Sequence, residues 1–266
     1  MKHLLIFACS ILLFSCQKVI DINPQQGEVM VIIQGDLYTD SIAHVIVTKS
    51  TNYLSQYKPA SINTALVVLS DNHGKIDTLT WNVLGNKYQG STLHGVVNDV
   101  YTLTVQLEGK KYSSTSVLPY LEPADSIDVI KRPKTGFQAE RYEMKLYANI
   151  STTKDLYYLF KGYADNVFLN GPNDIYIANN KNLTGNLNGI SVGYNKYKVG
   201  QVAKLEIYSL TEAAYNFYSA AKLQLNNDGG FFSTPPANVP SMFNNNAIGL
   251  FQCSDVKVLT KKVVAQ

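Results

Sequence analysis

Short runs in which apolar and polar residues alternate follow one another from residue 29 onwards and predict β-strands. In residues 100–107 the side chains of Tyr101, Leu103 and Val105 alternate with polar ones, so one face of a strand is apolar. Runs of similar character occupy residues 29–35, 44–50, 65–69, 76–81, 87–90 and 112–118. Seven short strands separated by turn signals, with no helical pattern, predict an immunoglobulin-like or prealbumin-like β-sandwich over residues 28–118.

Two prolines, Pro119 and Pro123, predict a stiff linker over residues 119–124. A second β-rich domain is predicted over residues 125–266, with strands at 126–130, 143–150, 157–163, 204–210, 248–253 and 256–264. Asparagine and glycine dominate residues 166–197, where we predict long loops rather than a core. One α-helix is predicted over about 211–225, because Thr211 can cap it and apolar side chains follow at helical spacing.

The first fifteen residues predict a lipoprotein signal peptide. Lys2 precedes an apolar run of about ten residues, which is too short to cross a bilayer as a helix. The tetrapeptide Leu13-Phe14-Ser15-Cys16 resembles the lipobox of bacterial lipoproteins, and that resemblance implies cleavage after Ser15 and attachment of lipid, including palmitate, to Cys16. The alternatives are an ordinary secretory signal and an inner-membrane anchor. The polar residues 16–27 are predicted to form a tether.

Charge and cysteine content argue against several classes of function. The chain contains 23 Lys+Arg and 20 Asp+Glu, so removal of residues 1–15 with Lys2 leaves 22 against 20, a net charge of +2. This near-neutral balance argues against binding to nucleic acid. Of the three cysteines, Cys9 would be removed and Cys16 lipidated, which leaves Cys253 without a partner and excludes a disulfide framework. We predict that Cys253 fills a core position rather than acting as a nucleophile.

No motif of the sequence indicates a catalytic, metal or cofactor site, and we predict none. His44, His73 and His94 lack the spacing of metal ligands, and neither a Gly-x-Ser-x-Gly elbow nor a glycine-rich phosphate loop is present. Aromatic residues are the remaining signal, with 18 Tyr, 10 Phe and 1 Trp. Tyrosines in loops provide flat, amphipathic contact surfaces. The candidate ligand-contact residues are therefore the loop tyrosines Tyr53, Tyr57, Tyr176, Tyr194 and Tyr197.

Several segments, taken in order, carry a resemblance to a known family. They are Cys16-Gln17-Lys18-Val19-Ile20-Asp21-Ile22, Ser209-Leu210-Thr211-Glu212-Ala213-Ala214-Tyr215, Gly229-Gly230-Phe231-Phe232, Pro235-Pro236-Ala237-Asn238-Val239-Pro240-Ser241 and Ala247-Ile248-Gly249-Leu250-Phe251. This order resembles the bacterial lipoproteins catalogued as domain of unknown function 4249. The resemblance implies an outer-membrane lipoprotein, often encoded near TonB-dependent receptors, with no established activity and no catalytic residues to carry over.

Together, these observations predict a non-catalytic protein anchored to the outer membrane through Cys16, which binds a partner protein or a nutrient beside a TonB-dependent receptor. Two alternatives stay open: a structural or adhesive surface protein, and a hydrolase whose acids or Cys253 converge only in three dimensions. The sequence leaves the ligand, the oligomeric state and the choice between the periplasmic and the cell-surface face undecided.

Overall fold

The computed structural model describes residues 28–51, 59–137, 139–150, 153–171, 174–181, 185–227 and 238–266. Within these ranges the chain forms sixteen β-strands and one α-helix, which confirms the predicted mostly-β fold with a single helix. The signal peptide, Cys16 and the tether lie outside the described residues.

The strands are short and most are antiparallel to their neighbours. In chain order they are β1 (Val31–Tyr38), β2 (Ile42–Lys49), β3 (Leu66–Asp71), β4 (Ile76–Asn82), β5 (Lys87–His94), β6 (Val100–Leu107), β7 (Lys110–Val117), β8 (Ala124–Arg132), β9 (Arg141–Asn149), β10 (Tyr157–Ala164), β11 (Val167–Phe168), β12 (Tyr176–Asn179), β13 (Asn186–Ser191), β14 (Val202–Leu210), β15 (Ile248–Ser254) and β16 (Val256–Lys262). The helix α1 spans Glu212–Leu225.

Eight strands form the first sheet, in the order β15-β1-β2-β5-β4-β3-β6-β7. The sheet folds over one core, in which Ile33, Leu103 and Phe251 are completely buried. The outer strand β7 is paired by the segment before β15, because the Asn244 N–H donates to the Ser113 carbonyl at 3.2 Å and the Asn244 side chain accepts from the Ser113 N–H at 2.8 Å. This pairing closes the seam between the two ends of the sheet and satisfies backbone groups that an edge strand would expose.

Two smaller sheets, β11-β10-β14-β16 with β12 beside β10, and β13-β9-β8, enclose a second core. The segment 166–197, predicted as loops, contributes β11, β12 and β13 and also buries Leu187 and Val192 in this core, so that prediction was wrong. In β13 the exposed Asn186 and Asn188 flank the buried Leu187. Because such short strands carry few inward side chains, their asparagine-rich outer faces dominate the sequence pattern.

The strand β15 returns to the first sheet, although the sequence division assigned residues 125–266 to the second domain. It pairs in parallel with β1, with Ile32 opposite Ile248 and Gly35 opposite Phe251. The next strand, β16, pairs with β14 of the second half. Pairing between strands from opposite ends of a chain has no local sequence signal, which is why the division by composition did not include this return.

The helix α1 covers the place where the two halves meet. Thr211 caps it by accepting the N–H of Ala214 at 3.2 Å, as predicted. Ala214 is buried against a cluster that includes Tyr208 of β14 and Leu250 of β15, so the helix packs on strands of both halves. The described ranges contain one helix, α1, and it is not long and apolar enough to span a bilayer.

Candidate functional site

The loop tyrosines predicted to contact a ligand have different positions in the structure. Tyr53 and Tyr57 lie outside the described residues. Tyr176 is half-buried on β12, with its ring centroid 4.7 Å from that of Tyr194. Tyr194 and Tyr197 are 3% and 4% exposed and belong to the second core, so the expectation that exposed loops display them is corrected.

Specific contacts fix Tyr194 in the interior. Its hydroxyl oxygen lies 2.9 Å from both the carbonyl oxygen of Phe160 and the side-chain oxygen of Asn170, so these two acceptors share its one proton. The ring lies directly over Gly162, where a Cβ atom would come within 2.6 Å of it. Burial raises the pKa of the Tyr194 hydroxyl, and the satisfied hydrogen bonds explain why a tyrosine from a polar segment is stable in a core.

A group of tyrosine, lysine and acidic side chains lies where the two halves meet, on the outer faces of β1, β10 and β14. We call it the tyrosine–lysine face, and it consists of Asp36, Tyr38, Lys161, Tyr163, Lys204, Glu206 and Tyr208. Strand periodicity creates it, because the alternate residues Leu205 and Ile207 point into the second core.

Glu206 is the centre of hydrogen bonding on the face. Its carboxylate accepts from the hydroxyl of Tyr208 at 2.7 Å, from that of Tyr163 at 2.9 Å and from Lys204 at 3.1 Å. Burial would raise the pKa of Glu206, but these hydrogen bonds and the charge of Lys204 lower it below its ordinary value. Burial and the bonded carboxylate in turn raise the pKa of Tyr163 to about 12. All three partners are therefore held in fixed positions around an ionised carboxylate.

Tyr208 is the aromatic centre of the face. The ammonium of Lys161 lies 4.4 Å from the centroid of its ring, and the ring of Tyr38 lies 5.2 Å away. Tyr38 belongs to the first sheet and Lys161 to the second half, so this contact joins both parts of the molecule. The ammonium–ring distance is within the range of a cation–π interaction.

Asp36 is the carboxylate of the face on the first sheet. Burial raises its pKa, and the charge of Lys161 with hydrogen bonds from Tyr38 and Gln34 opposes that rise only in part. On the helix side, Tyr218 donates its hydroxyl to Gln252 of β15 at 2.6 Å.

Tyr208 is only 6% exposed, so a polar ligand would reach the face through its half-buried members Lys161, Tyr163 and Lys204. Tyrosine rings stack on flat surfaces, while ammonium and carboxylate groups beside them bind the polar parts of a peptide or a sugar. Within the ranges that the structure describes, no group of three or more His, Cys, Asp or Glu side chains could hold a metal ion. Cys253 is 1% exposed in the first core, and its burial raises the pKa of the thiol, as befits a core residue.

Sequence reasoning missed the tyrosine–lysine face for an identifiable reason. We expected the loop tyrosines to contact a ligand and assigned no such role to the tyrosines on strands. The signal that could have found the face is the alternation in β14, where Lys204, Glu206 and Tyr208 occupy every second position. Its counterpart in β10 is Lys161 followed by Tyr163.

Comparison with known proteins was made at the level of families and of curated sequences. A family model described as Domain of unknown function (DUF4249) matches residues 17–260, which include the whole tyrosine–lysine face. No curated protein matches the chain. The match covers most of the sequence and confirms the predicted resemblance, so the chain belongs to the DUF4249 family.

Proposed function

We propose that this protein is a non-catalytic binding lipoprotein of the outer membrane that works beside a TonB-dependent receptor. In this proposal Cys16 carries the lipid, and the tyrosine–lysine face binds a segment of the receptor or a nutrient. The supporting observation is the face itself, which combines aromatic rings with ammonium and carboxylate groups at the meeting point of the two halves.

The preorganised state of the face supports a role in binding. Lys204 stands 4.0 Å from the ring centroid of Tyr163 while it also pairs with Glu206, so its position is already fixed. Phe168 extends the aromatic surface, since its ring centroid lies 5.3 Å from that of Tyr163 and the residue is 49% exposed. A partner that binds such a surface orders few additional side chains, and the entropic cost of association is correspondingly small.

The state of Glu206 supports a non-catalytic role for this carboxylate. A base or nucleophile needs lone pairs that are open to the substrate. Glu206 instead accepts hydrogen bonds from three side chains, and its lowered pKa makes it a weak base. This arrangement suits a residue that positions its neighbours rather than one that transfers protons.

The tether sets the distance over which the protein works. Residues 16–27 are twelve residues, and a chain of that length spans at most about 40 Å. A lipid on Cys16 would therefore keep the folded part close to the bilayer. This range suits a partner that is itself embedded in the same membrane.

The first test of the proposal is lipid attachment. We expect cells that express the full chain to incorporate labelled palmitate into it, and the variant Cys16→Ser to lose the label and leave the membrane fraction, because the thiol is the attachment point. The control is Cys253→Ser, which alters the one described cysteine and should keep both properties. Labelling of Cys16→Ser equal to that of the wild type would contradict the lipid anchor.

The second test is capture of the partner from detergent-solubilised membranes. We expect the wild-type chain to co-purify with a TonB-dependent receptor, and Lys161→Glu to reduce recovery about tenfold, because it places a negative charge beside Asp36 and removes the ammonium from Tyr208. Lys110→Glu makes the same charge change on the exposed end of β7 and should have little effect. A wild-type chain recovered without receptor, peptide or glycan would contradict the proposal and favour a structural surface role.

A further inference from the structure

One end of the first sheet is the end at which the chain arrives from the predicted tether of residues 16–27, and we call it the tether end. It consists of Val29, Met30, Lys49, residues 83–86 and residues 107–111. Because the neighbouring strands are antiparallel, the β4–β5 turn and the β6–β7 turn both lie at the end where β1 starts. An ion pair of 2.7 Å between Lys49 and Glu108 joins the end of β2 to the β6–β7 turn, in agreement with this placement.

Two large aliphatic side chains stand at the tip of the β4–β5 turn. Val83 is 79% exposed and Leu84 is 100% exposed. Turn positions usually carry Gly, Pro, Asn, Asp or Ser, so the backbone geometry does not require a valine and a leucine here. Val29 and Met30 are 68% and 37% exposed, and the strand spacing places them roughly 10–15 Å from this turn. Exposed apolar side chains that gather at one end of a molecule indicate an interaction site.

Hydrogen bonds hold the tip of the β4–β5 turn in place. The side-chain oxygen of Asn82 accepts the N–H of Gly85 at 2.9 Å, and the N–H of Asn86 donates to the carbonyl of Val83 at 3.4 Å. The Asn86 side chain also donates to the hydroxyl of Ser61 at 3.2 Å. Because the turn is already fixed, the entropic cost of ordering it on a partner surface is small.

Lysine side chains make the tether end positively charged. Lys110 and Lys111 are both exposed at the start of β7. The acidic residues that the structure describes at this end are Glu28 and Glu108, and Glu108 is already paired with Lys49. An apolar tip beside basic side chains suits the boundary layer of a bilayer that contains anionic lipids.

We propose that the tether end rests on a phospholipid bilayer, with Val83 and Leu84 in the headgroup region and Lys110 and Lys111 beside anionic headgroups. The orientation of this end toward the membrane rests on the proposed lipid anchor, whose tether reaches the fold there. A protruding tip offers far less than the roughly 800 Å² per partner of a standard protein interface, whereas a bilayer accepts single apolar side chains. The linker leaves the opposite end of β7, so the second half points away from the bilayer.

The binding experiment uses the chain from residue 16 onwards with Cys16→Ser, which contains every described residue and carries no lipid of its own. The probe is vesicles of equal parts phosphatidylglycerol and phosphatidylethanolamine, and phosphatidylcholine replaces phosphatidylglycerol in the neutral comparison. We expect the chain to float with the anionic vesicles and to associate about tenfold more weakly with the neutral ones, because lysines near an anionic surface favour binding. Added salt should reduce this difference, since it screens the charges.

Two pairs of matched variants test the two parts of this surface. Leu84→Ser should weaken association about tenfold, because it removes the apolar side chain that inserts, whereas Leu223→Ser changes a leucine that is 66% exposed on α1 and should have little effect. Lys110→Glu should weaken association with the anionic vesicles about tenfold. Lys75→Glu makes the same charge change at the opposite end of the first sheet and should not. All four side chains are exposed, so the fold is expected to survive each change.

A fluorescent label reports the contact directly. A polarity-sensitive dye attached to Leu84→Cys should shift its emission to shorter wavelength on the anionic vesicles, and the same dye on Leu223→Cys should not. Cys253 is 1% exposed and does not compete for the label.

Several outcomes would overturn this inference. They are failure of the chain to associate with the anionic vesicles, equal association of Leu84→Ser and Leu223→Ser, and an unshifted label at Leu84→Cys. Weaker receptor capture in detergent by Leu84→Ser, with unchanged association with vesicles, would overturn it too and assign the tether end to a protein partner. Because this chain carries no lipid, failure with vesicles is distinguishable from failure of palmitate labelling or of receptor capture, which test the proposed function.

Discussion

Replacement of Asp77 by alanine is expected to lower the free energy of unfolding by about 3 kcal/mol, because three backbone N–H groups, among them that of the buried Leu93, lose their acceptor. Asp77 on β4 is 3% exposed. Its carboxylate accepts the backbone N–H groups of Ser91, Thr92 and Leu93 at 2.8, 2.9 and 3.0 Å. A buried N–H without an acceptor, such as that of Leu93, costs about 1–3 kcal/mol, and the N–H groups of the exposed Ser91 and Thr92 cost less because water can reach them.

An irregularity in the first sheet creates the need for this carboxylate. The pairing of β4 with β5 ends at Gln89, and the register of β2 against β5 shifts between Ile42 and His44. The N–H groups of residues 91–93 are therefore not paired with β4. The Asp77 carboxylate accepts the hydrogen bonds that the carbonyl groups of a neighbouring strand would otherwise accept. Bulges of this kind need a local acceptor, since buried backbone groups in native proteins are almost always paired.

The measurement is urea unfolding of the wild type, Asp77→Ala and Asp77→Asn. The asparagine variant keeps one acceptor oxygen and should lose about half as much stability as the alanine variant. The exposed Asp125 provides the control, and Asp125→Ala should change the free energy of unfolding by less than about 0.5 kcal/mol. A loss below about 1 kcal/mol for Asp77→Ala would show that the carboxylate is not needed.

The same residue should also make stability depend on pH. Burial alone would raise the pKa of Asp77, but the hydrogen bonds from Thr92, Leu93 and Ser91 lower it below the ordinary 3.8. A folded-state pKa below the unfolded one means that the contribution is present above pH 3.8 and is lost as the pH falls through the folded value. Asp77→Asn should therefore lack that part of the acid-induced loss of stability.

Replacement of Gly249 by alanine is expected to separate β15 from β1 and to lower the free energy of unfolding by roughly 3–5 kcal/mol. Gly249 lies opposite Ile33 in the parallel pair. A Cβ atom at this position would lie 1.9 Å from the carbonyl oxygen of Ile33 and 2.8 Å from its carbon. Both atoms belong to the backbone, so no side-chain rotation can relieve the overlap and the strands must move apart.

Hydrogen exchange of the β1 amides measures this separation directly. We expect faster exchange in Val31–Tyr38 in the Gly249→Ala variant. Under the proposed function we also expect weaker capture of a receptor, since β1 carries Asp36 and Tyr38 of the tyrosine–lysine face. Gly85→Ala is the matched control, because its new Cβ would approach only side-chain atoms of Lys87 and Asn82, at 3.3 Å or more. Unchanged protection of β1 in Gly249→Ala would contradict the expected separation.

Local patterns in the sequence were sufficient for most of the elements. The alternation of Tyr101, Leu103 and Val105 identified β6, and similar runs located the other strands of the first sheet. Thr211 and the helical spacing after it placed α1 close to its observed Glu212–Leu225 bounds. These features depend on neighbouring residues, whose spacing reflects one side of a strand or helix facing a core.

The candidate site was much less accessible from the sequence. The loop tyrosines were chosen because loops usually display binding residues. Tyr194 and Tyr197 instead lie in the second core. The hydrogen bond to Asn170 and the packing of the ring on Gly162 hold Tyr194 there. Whether a tyrosine faces solvent depends on the sheet that packs beside it, and residues distant in sequence supply that sheet.

Most of the strands, the single helix, the resemblance to the family and the expectation of a lipid anchor at Cys16 thus follow from short stretches of residues. The return of β15 to β1 and the meeting of Tyr38 with Tyr208 are consequences of tertiary structure alone. Each depends on strands brought together from distant parts of the chain. A local pattern records which side of a strand is apolar, but it does not record which strand will lie next to it.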